Sequence, residues 1–480
     1  MTMTEKFVSR VFAALIPAVA VLTCTACRKT VTIDSAESLL SSIQVSAAKD
    51  NALRYYADME FSAPCSVRIN YWISSDPSSV RSTRTLECDG NSGRVPIMFV
   101  KADTPYTFTV TLSYEGKEYT TRDSFDFTTK PLPLGVPEYS VDESFPHELK
   151  LPGYILHGQA SSPTGYLVFT DTDGNVVWYQ DFDEAVRHFH FDPASRTFVV
   201  LTGFKNSLSD VKFQRFCNKF VRIDLEGNIL EEWKTSSSNV EFPHHDIKLL
   251  DDGTMVILHG VAKNYDLSSI GGDFSVDVYG DGFTVFDRNG SERFSWDTSR
   301  ELDPVRDTYL DVLEKYYDLV HANSVSKDNE GNYYFTLNNL NELWKIDGKT
   351  GDVLYRIGDY GNVTIPENGY TSGIHSSVPL SPDKVLVFDN GSRSGVSRAL
   401  VYDIDTSAKT AAVALSVPLP SSLSSTDRSN VELINDGRML FFGSTAGRCC
   451  VFTDLEGNIL KVIRRKGISY RTHYFNAVEY

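Results

Sequence analysis

A short unit recurs six times in the last two-thirds of this sequence. In each copy an aspartate ends an apolar run, a turn follows and a second run begins, as in DTDGNVVW and DLEGNILEEW. Successive aspartates lie 51 to 63 residues apart by subtraction. They are Asp171, Asp224, Asp287, Asp347, Asp403 and Asp454. Repeats of this length built from short strands and turns are typical of β-propellers, so the chain is constrained to a repeated β architecture.

The two ends of the repeat region indicate how a ring of such units would close. The first unit contains three runs, at 154–159, 166–171 and 175–180, but no innermost strand precedes them. Residues 474–480 form one further strand that has no unit of its own. Pairing the two would complete a sixth sheet and remove a free edge. The sequence therefore predicts an all-β fold with a six-bladed β-propeller over residues 139–480, and shows none of the helical crossovers of an α/β fold.

Residues 43–130 form a separate region of short alternating runs. Their turn-bounded pattern predicts a small N-terminal β-sandwich, fibronectin III or immunoglobulin-like, and ADTPYTFTVT from Ala102 resembles late strands of fibronectin type III domains. Cys65 and Cys88 could form a disulfide there, although their spacing does not decide it. The stretch KPLPLGVP from Lys130 predicts a stiff linker.

The first 27 residues have the pattern of an export signal. Two basic residues precede an apolar run at 11–22, and TCTACRKT follows. The run is too short to span a bilayer and ends in small residues, which favours a lipoprotein signal peptide over 1–27. Cys27 is the predicted lipidated residue, with Cys24 as the alternative. We therefore expect an exported protein, lipid-anchored to the bacterial envelope in the periplasm or at the outer membrane.

The overall charge limits the partners. With 63 acidic and 46 basic residues, the formal net charge is −17, which argues against a nucleic-acid-binding surface. Any anion-binding site must therefore be local and built from a few aimed donors. The oligomeric state stays open, with a homodimer among the options.

Three histidines occupy matching places in the repeat. His245 opens HDIKLLDDGTMVIL, His321 opens HANSVSKDNEGNYYF and His375 opens HSSVPLSPDKVLVF. The number of residues from each histidine to the turn that follows it differs between the three copies only by an even number. Because successive side chains along a strand point to opposite faces, the three histidine side chains are predicted to lie on equivalent faces of their strands. Since the innermost strand of each propeller sheet lines the channel, we expect the three rings to meet at one mouth. Asn323 should face the same way as His321, and His244 should face away from His245.

Three imidazoles and an amide at a channel mouth support two chemistries. One is a metal site, since histidine is a common ligand. The other is an oxyanion site in which one histidine is the nucleophile and the others donate hydrogen bonds. The sequence favours the second and predicts no metal, because the His-x-Asn pair lacks the carboxylate partners usual around zinc.

These motifs resemble the bacterial aryl-sulfate sulfotransferases. The similarity lies in HDIKLLDDG, HANSV, and His375 followed by FDNG and by the SR that ends at Arg398. That family comprises exported six-bladed propellers with an N-terminal β-sandwich, which move a sulfuryl group between phenols without a nucleotide donor. The resemblance implies that His375 is the nucleophile and is transiently sulfated. It also implies that His245, His321 and Asn323 hold the sulfate oxygens.

Two departures from the family pattern bear on the site. The family has an arginine on the strand after the H-x-N motif, and the matching position falls at about Asn338. Arg428 could supply the charge from a neighbouring repeat, so the predicted substrate-binding residues are Arg428, Asn338 and Arg398. Some members also have a disulfide before the catalytic histidine, and residues 357–374 contain no cysteine.

The resemblance implies an aryl sulfate donor, a phenolic acceptor and no cofactor. Phenols suit the reaction because they ionise more readily than alkyl alcohols and so leave more readily. The alternative hypothesis is a non-catalytic propeller lipoprotein that binds sulfated or phenolic ligands or glycans. The missing arginine favours this alternative, whereas the three histidines and Asn323 favour the enzyme.

Overall fold

The computed structural model describes residues 33–160, 164–203, 216–235, 240 and 242–480. It is 52% strand and 5% helix, which confirms the all-β class. The expected signal peptide and Cys27 lie outside the described residues. Within the described ranges, no helix is long and apolar enough to cross a membrane.

The N-terminal region contains two antiparallel sheets that share one core. A helical turn, α1 (Ala36–Leu39), precedes them, so the region begins before the predicted residue 43. One sheet contains β1 (Leu40–Ala47), β2 (Tyr55–Phe61) and β6 (Ser92–Ile97). The other contains β3 (Cys65–Ile73), β4 (Asp76–Ser82), β5 (Leu86–Cys88), β7 (Pro105–Tyr114), β8 (Lys117–Thr120) and β9 (Phe125–Thr128). Cys65 and Cys88 face each other across β3 and β5 as free, buried thiols.

Within the described part of residues 139–480, the strands form six antiparallel sheets of four or five strands. Strand order within each sheet follows chain order except where the two chain ends join. The first sheet contains β11 (Tyr154–Gln159), β12 (Gly165–Asp171) and β13 (Val176–Phe182). The second contains β14 (Val186–Asp192), β15 (Thr197–Thr202), β16 (Lys219–Asp224) and β17 (Ile229–Lys234). The third contains β18 (Pro243–Leu249), β19 (Met255–Tyr265), β20 (Val276–Phe286) and β21 (Glu292–Asp297).

The last three sheets follow the same plan. A second helical turn, α2 (Val312–Lys315), lies in the connection that leads into them. The fourth sheet contains β22 (Ala322–Lys327), β23 (Tyr333–Leu337), β24 (Glu342–Ile346) and β25 (Val353–Ile357). The fifth contains β26 (Ile374–Ser381), β27 (Lys384–Asp389), β28 (Arg398–Asp405) and β29 (Thr410–Pro418). The sixth contains β30 (Asn430–Ile434), β31 (Met439–Ser444), β32 (Cys449–Asp454) and β33 (Ile459–Arg465).

Both ends of the repeat region contribute to closure. The last strand, β34 (Thr472–Phe475), pairs with β11 and completes the first sheet, as the sequence predicts, although it begins and ends earlier than 474–480. The chain after β34 leaves the sheet, and the ring of Tyr480 stacks on Phe99 of the N-terminal region at 4.9 Å. At the other end, β10 (Tyr139–Val141) adds to the outer edge of β33, a contact that the sequence does not predict.

The recurring aspartate makes the turn between the third and fourth strands of a sheet. The Asp171 carboxylate accepts hydrogen bonds from the backbone of Asp173 at 3.0 Å and Asn175 at 2.8 Å. Gly174 has φ +83°, a left-handed conformation that favours glycine, which explains the D-x-x-G pattern. In the fifth sheet the turn residue is Asp405, which accepts from Ser407, two positions after the predicted Asp403.

Tryptophans that follow these turns join neighbouring sheets. Trp178 on β13 donates from Nε1 to the carbonyl of Leu225 at 2.8 Å, and Trp296 on β21 donates to Gly351 at the same distance. Each indole is buried, and its N–H reaches the aspartate turn of the next sheet. Such contacts combine a large apolar area with a satisfied polar group, so they fix how adjacent sheets, and the strands that carry the site, lie against each other.

Candidate active site

The structure brings the three predicted histidines together around Tyr470. The ring centroids of His245 and His321 are 4.8 Å apart. Tyr470 lies 5.5 Å from His245 and 6.4 Å from His375, measured between ring centroids. His245 and His375 lie near the beginnings of β18 and β26, and His321 immediately precedes β22, so equivalent places in the repeat supply all three.

Strand alternation is not what aims the rings. His245 and His321 have φ of +56° and +48°, the left-handed region that costs a non-glycine residue on the order of 1 kcal/mol. The strand that contains or follows each of the three histidines also changes register close to it. The prediction that His244 and His245 face opposite ways is therefore wrong, since their ring centroids are 4.7 Å apart.

His375 is held as a neutral ring. Its Nδ1 lies 3.0 Å from the carbonyl oxygen of Gly373, which can only accept, so Nδ1 carries the proton and Nε2 holds the lone pair. Burial, together with smaller contributions from the charges of His321 and Arg471, lowers the pKa of His375 to about 3. The ring therefore stays uncharged at neutral pH, with Nε2 available as a nucleophile.

Asn338, at the position where the family has arginine, touches His375. Its Nδ2 lies 3.3 Å from Nδ1 of His375 and 3.3 Å from the carbonyl oxygen of Ile374. The side chain is thus a neutral neighbour of the candidate nucleophile and brings no positive charge to it.

Asn323 connects two adjacent inner strands. Its Nδ2 donates to the carbonyl of Ile374 at 3.0 Å, and its Oδ1 accepts from the Thr336 hydroxyl at 2.8 Å. The residue is fully buried. Asn323 therefore fixes the backbone immediately before His375.

Two carboxylates support the other histidines. Nδ1 of His321 lies 2.5 Å from Asp318, and Nε2 of His244 lies 3.0 Å from Asp281. The expectation that the site lacks carboxylate partners is therefore wrong, because both side chains approach from outside the H-x-N motif. In the part of the chain that the structure describes, no group of three His, Cys, Asp or Glu side chains could hold a metal ion.

Arg471 joins three inner strands beneath the histidines. One guanidinium nitrogen lies 2.8 Å from the Asp246 carboxylate. Another donates to the carbonyls of Asn323 and His375, the latter at 3.1 Å. Both charged side chains are buried. Arg471 thus brings a positive charge into direct contact with the backbone of the site, from a segment that precedes β34.

The other predicted substrate-binding arginines differ in their surroundings. Arg428 is partly exposed, lies 3.7 Å from Asp427, and its charge acts on His188 and Tyr470, so it borders the site. Arg398 instead bonds Asp389 at 2.9 Å and the carbonyls of Asn368 and Tyr370. The Arg398 guanidinium therefore stabilises the backbone that precedes His375, and these hydrogen bonds are not directed at a substrate.

Several residues of this cluster lie outside the predicted set of site residues. His188 and Tyr470 lie with their ring centroids 4.6 Å apart, and both line a small cavity beside His245. Burial, followed by the charge of Arg187, lowers the pKa of His188 well below its usual range. Tyr470 and Arg471 carry no motif, and the only sequence signal for His188 was its place at the start of the second repeat.

The fold and the site thus define an all-β protein with a histidine cluster at the starts of its inner strands. Residues 138–467 match the arylsulfotransferase (ASST) family, and the chain belongs to that family. This membership suggests arylsulfotransferase activity. No curated protein matches the chain.

Solved structures offer more distant likenesses. A protein of unknown function from Bacteroides caccae is 12% identical, covers 68% of this chain and 100% of its own, and has a TM-score of 0.43. An auxiliary nutrient binding protein from Bacteroides thetaiotaomicron is 10% identical over 88% and 84%, with a TM-score of 0.34. A catalytically inactive virginiamycin B lyase from Staphylococcus aureus is 9% identical over 88% and 99%, with a TM-score of 0.31. These values are too low to assign a function.

Proposed function

We propose that the protein is an aryl-sulfate sulfotransferase that moves a sulfuryl group from a phenolic sulfate ester to a phenolic acceptor through a sulfo-histidine at His375. The state of His375 carries the proposal: a buried, neutral imidazole whose Nδ1 is bound to the Gly373 carbonyl presents the Nε2 lone pair. Membership in the arylsulfotransferase family supports the same reaction.

The reaction proceeds in two balanced steps. In the first, Nε2 of His375 attacks the sulfur, the sulfur–oxygen bond to the aryl group breaks, and the aryloxide leaves with the electron pair. In the second, the acceptor oxygen attacks the sulfur, and the pair of the nitrogen–sulfur bond returns to Nε2. The proton lost by the acceptor equals the one gained by the released phenol. A covalent intermediate divides one difficult transfer into two easier ones.

The neighbours of His375 receive roles from their geometry. Sulfuryl transfer, like phosphoryl transfer, requires donors aimed at the equatorial oxygens. His245 and His321 lie close enough together to serve one sulfuryl group. Asn323 holds the strand next to His375 through the Ile374 carbonyl. Asn338 replaces the family arginine with a neutral donor, and Arg428 adds charge at the edge of the site.

We also propose the finer architecture and location. The six sheets of residues 139–480 correspond to six propeller blades closed by β34, and the two N-terminal sheets to a β-sandwich. The first 27 residues would direct export and lipidation at Cys27. Labelling of cells with a fatty-acid analogue should mark the wild-type protein and spare Cys27→Ser; equal labelling of both would refute Cys27 as the lipid site.

A chromogenic aryl sulfate tests the activity. Purified protein should release the coloured phenol slowly alone and faster when a second phenol is added, because the acceptor regenerates His375. His375→Ala should release none, while His259→Ala, which removes another buried histidine of the third sheet, should retain transfer. Absence of acceptor-dependent release from folded wild-type protein would refute the proposal.

The replacement of the family arginine by Asn338 favours a second candidate function. Without that cation the site could bind sulfated or phenolic ligands or glycans and not turn them over. Calorimetry with an aryl sulfate separates the two: binding without product release supports the binding module, and release supports the transferase.

A further inference from the structure

Three exposed aromatic side chains lie at the end of the sheets that carries the histidines. Among the Phe, Tyr and Trp residues that the structure describes, only Phe274, Tyr360 and Tyr370 are exposed, at 77%, 47% and 44%. Phe274 lies in the connection from β19 to β20, and both tyrosines lie between β25 and β26. Strand direction alternates within each sheet, so these connections lie at the end where β18 and β26 begin. Exposed apolar side chains collected at one end are typical of a binding surface.

Tyr360 differs from the other two because its ring has a stacked partner. The ring centroids of Tyr309 and Tyr360 are 4.3 Å apart, and the rings are inclined by only 19°. No other described ring stacks on Phe274 or Tyr370. Tyr309 comes from the connection between β21 and β22, and its hydroxyl accepts from the Arg356 guanidinium at 3.4 Å. The stacked pair, here called the Tyr309–Tyr360 platform, therefore joins the connections that follow two neighbouring sheets.

A buried ion pair holds Tyr360 in place. Glu342 is 0% exposed, and its carboxylate pairs with Arg356 at 3.0 Å. The same carboxylate accepts from the backbone N–H of Tyr360 at 2.8 Å. The turn is also tight, since a Cβ atom at Gly361 would lie 2.4 Å from the carbonyl oxygen of Arg356. The backbone thus presents the exposed ring in one position, which reduces the entropy lost when a ligand binds.

Asn341 connects the platform to the segment that precedes His375. Its Nδ2 donates to Asp359, the residue before Tyr360, at 2.8 Å, and its Oδ1 accepts from the backbone N–H of Gly373 at 2.8 Å. The Gly373 carbonyl in turn accepts from Nδ1 of His375. The platform is therefore bonded to the residues that orient the candidate nucleophile, but Asn341 and Gly373 lie between it and His375.

We propose that the Tyr309–Tyr360 platform binds a second aromatic ring of the substrate, so that the protein prefers phenols and aryl sulfates with at least two rings. This inference rests on the proposed function, which places the first ring at His375. A ring whose oxygen reaches the buried His375 cannot also cover Tyr360, because Asn341 and Gly373 separate the two. A second ring on the exposed face of Tyr360 would extend the existing stack, and stacked rings attract each other beyond the area that they bury.

The size and charge of the surface fit this occupant. The platform offers the face of one ring, whereas a stable protein interface buries about 800 Å² on each partner. Arg393 pairs with Asp359 at 2.9 Å and is 67% exposed, so it brings a guanidinium to the residue beside Tyr360. An aromatic face with a cation nearby suits an aryl compound that carries a sulfate group.

Binding of aryl sulfonates tests the platform without turnover, because their carbon–sulfur bond is not transferred. In the wild-type protein, calorimetry should show 4-(benzyloxy)benzenesulfonate binding about tenfold more tightly than benzenesulfonate. Tyr360→Ala should lose this preference, whereas Tyr360→Phe should keep it, since only the ring is needed. Phe274→Ala is the matched control: it removes an exposed ring outside the platform and should leave the preference unchanged.

Acceptor kinetics test the same preference during transfer. Tyr360→Ala should raise KM for 4-(benzyloxy)phenol about tenfold, with kcat and the KM for phenol within about twofold of wild type. No preference for two rings in the wild-type protein, or the same preference in Tyr360→Ala, would overturn the platform even if phenol is sulfated at the full rate. A preference in sulfonate binding that depends on Tyr360, in a protein that transfers no sulfuryl group, would support the platform and refute the proposed function instead.

Discussion

The Arg471 guanidinium lies 2.8 Å from the Asp246 carboxylate, and the two side chains are 8% and 5% exposed. This buried pair joins the segment before the closing strand to β18. Asp246 also accepts from the backbone N–H of Val325 on β22 at 3.0 Å, while Arg471 reaches the carbonyl of His375 on β26. Closure of the first sheet and placement of the histidines therefore depend on the same two residues.

Arg471→Met should destabilise the protein by about 3 to 5 kcal/mol, because it leaves the Asp246 carboxylate buried and without its partner charge. Urea unfolding measures the change. Arg438→Met removes an exposed arginine paired with Asp436 and should cost less than about 1 kcal/mol. If the two variants unfolded at the same urea concentration, the buried pair would not be a structural tie.

Removing the closing strand β34 should lower the thermal stability more than removing only the residues that follow it. Deleting residues 472–480 exposes the edge of β11 and the opposite sheet faces, so thermal unfolding should begin far below that of wild type. Deleting only 476–480 keeps β34 and loses the stack of Tyr480 on Phe99, so it should shift the melting temperature less. An unchanged melting curve for the longer deletion would contradict closure by β34.

Stability should decrease as pH falls from about 6.5 toward 3. Burial lowers the pKa of His375 and of His190 to about 3 each, so the folded state resists protons that the unfolded chain binds below about 6.5. Because the unfolded state then holds more protons, unfolding becomes easier as pH falls, and this contribution is fully present only above about 6.5.

The slope of unfolding free energy against pH measures this linkage. Between pH 6 and 4, His190→Gln should make this slope shallower than in wild type, by an amount that corresponds to the binding of about one proton on unfolding. His147→Gln, which changes an exposed histidine, is the control and should leave it unaltered. Identical slopes in wild type and His190→Gln would mean that His190 titrates normally.

The repeat made the sheets predictable, since each sheet is bounded by local turn chemistry such as that of Asp171 and Gly174. It also placed the three histidines, because they begin equivalent strands. The repeat does not encode long-range contacts: Asp281 on β20 reaches His244 on β18 past the intervening strand, and Arg471 reaches Asp246 from the far end of the chain.

Ring orientation was unpredictable for a local reason. Alternation assumes extended backbone, whereas His245 and His321 have positive φ at positions where the register shifts. The prediction for His244 failed at that point. A non-glycine residue in this conformation has no signature in composition or periodicity, and such residues are concentrated at functional sites.

Chelators should leave transfer intact. His245 and His321 each have a partner that fixes the ring, as zinc ligands often do, so the test discriminates between the two chemistries. Protein dialysed against a strong chelator should keep the activity of an untreated sample, with added zinc giving no increase. Loss of activity on dialysis and its return with stoichiometric zinc would establish metal catalysis in place of histidine sulfation.

His375 should be the residue that becomes covalently modified. Reaction with an aryl sulfate alone, quenched in base, should add the mass of one sulfuryl group to the peptide that contains His375, because its Nε2 holds the lone pair at neutral pH. His375→Ala should abolish transfer, since none of the flanking histidines occupies that position. His321→Ala should retain a residual rate, because loss of one oxyanion donor costs about 3 to 4 kcal/mol, or 100- to 1000-fold. Initial rates against both substrates should follow a ping-pong pattern. The added mass on a different peptide, or undiminished transfer by His375→Ala, would place the nucleophile elsewhere.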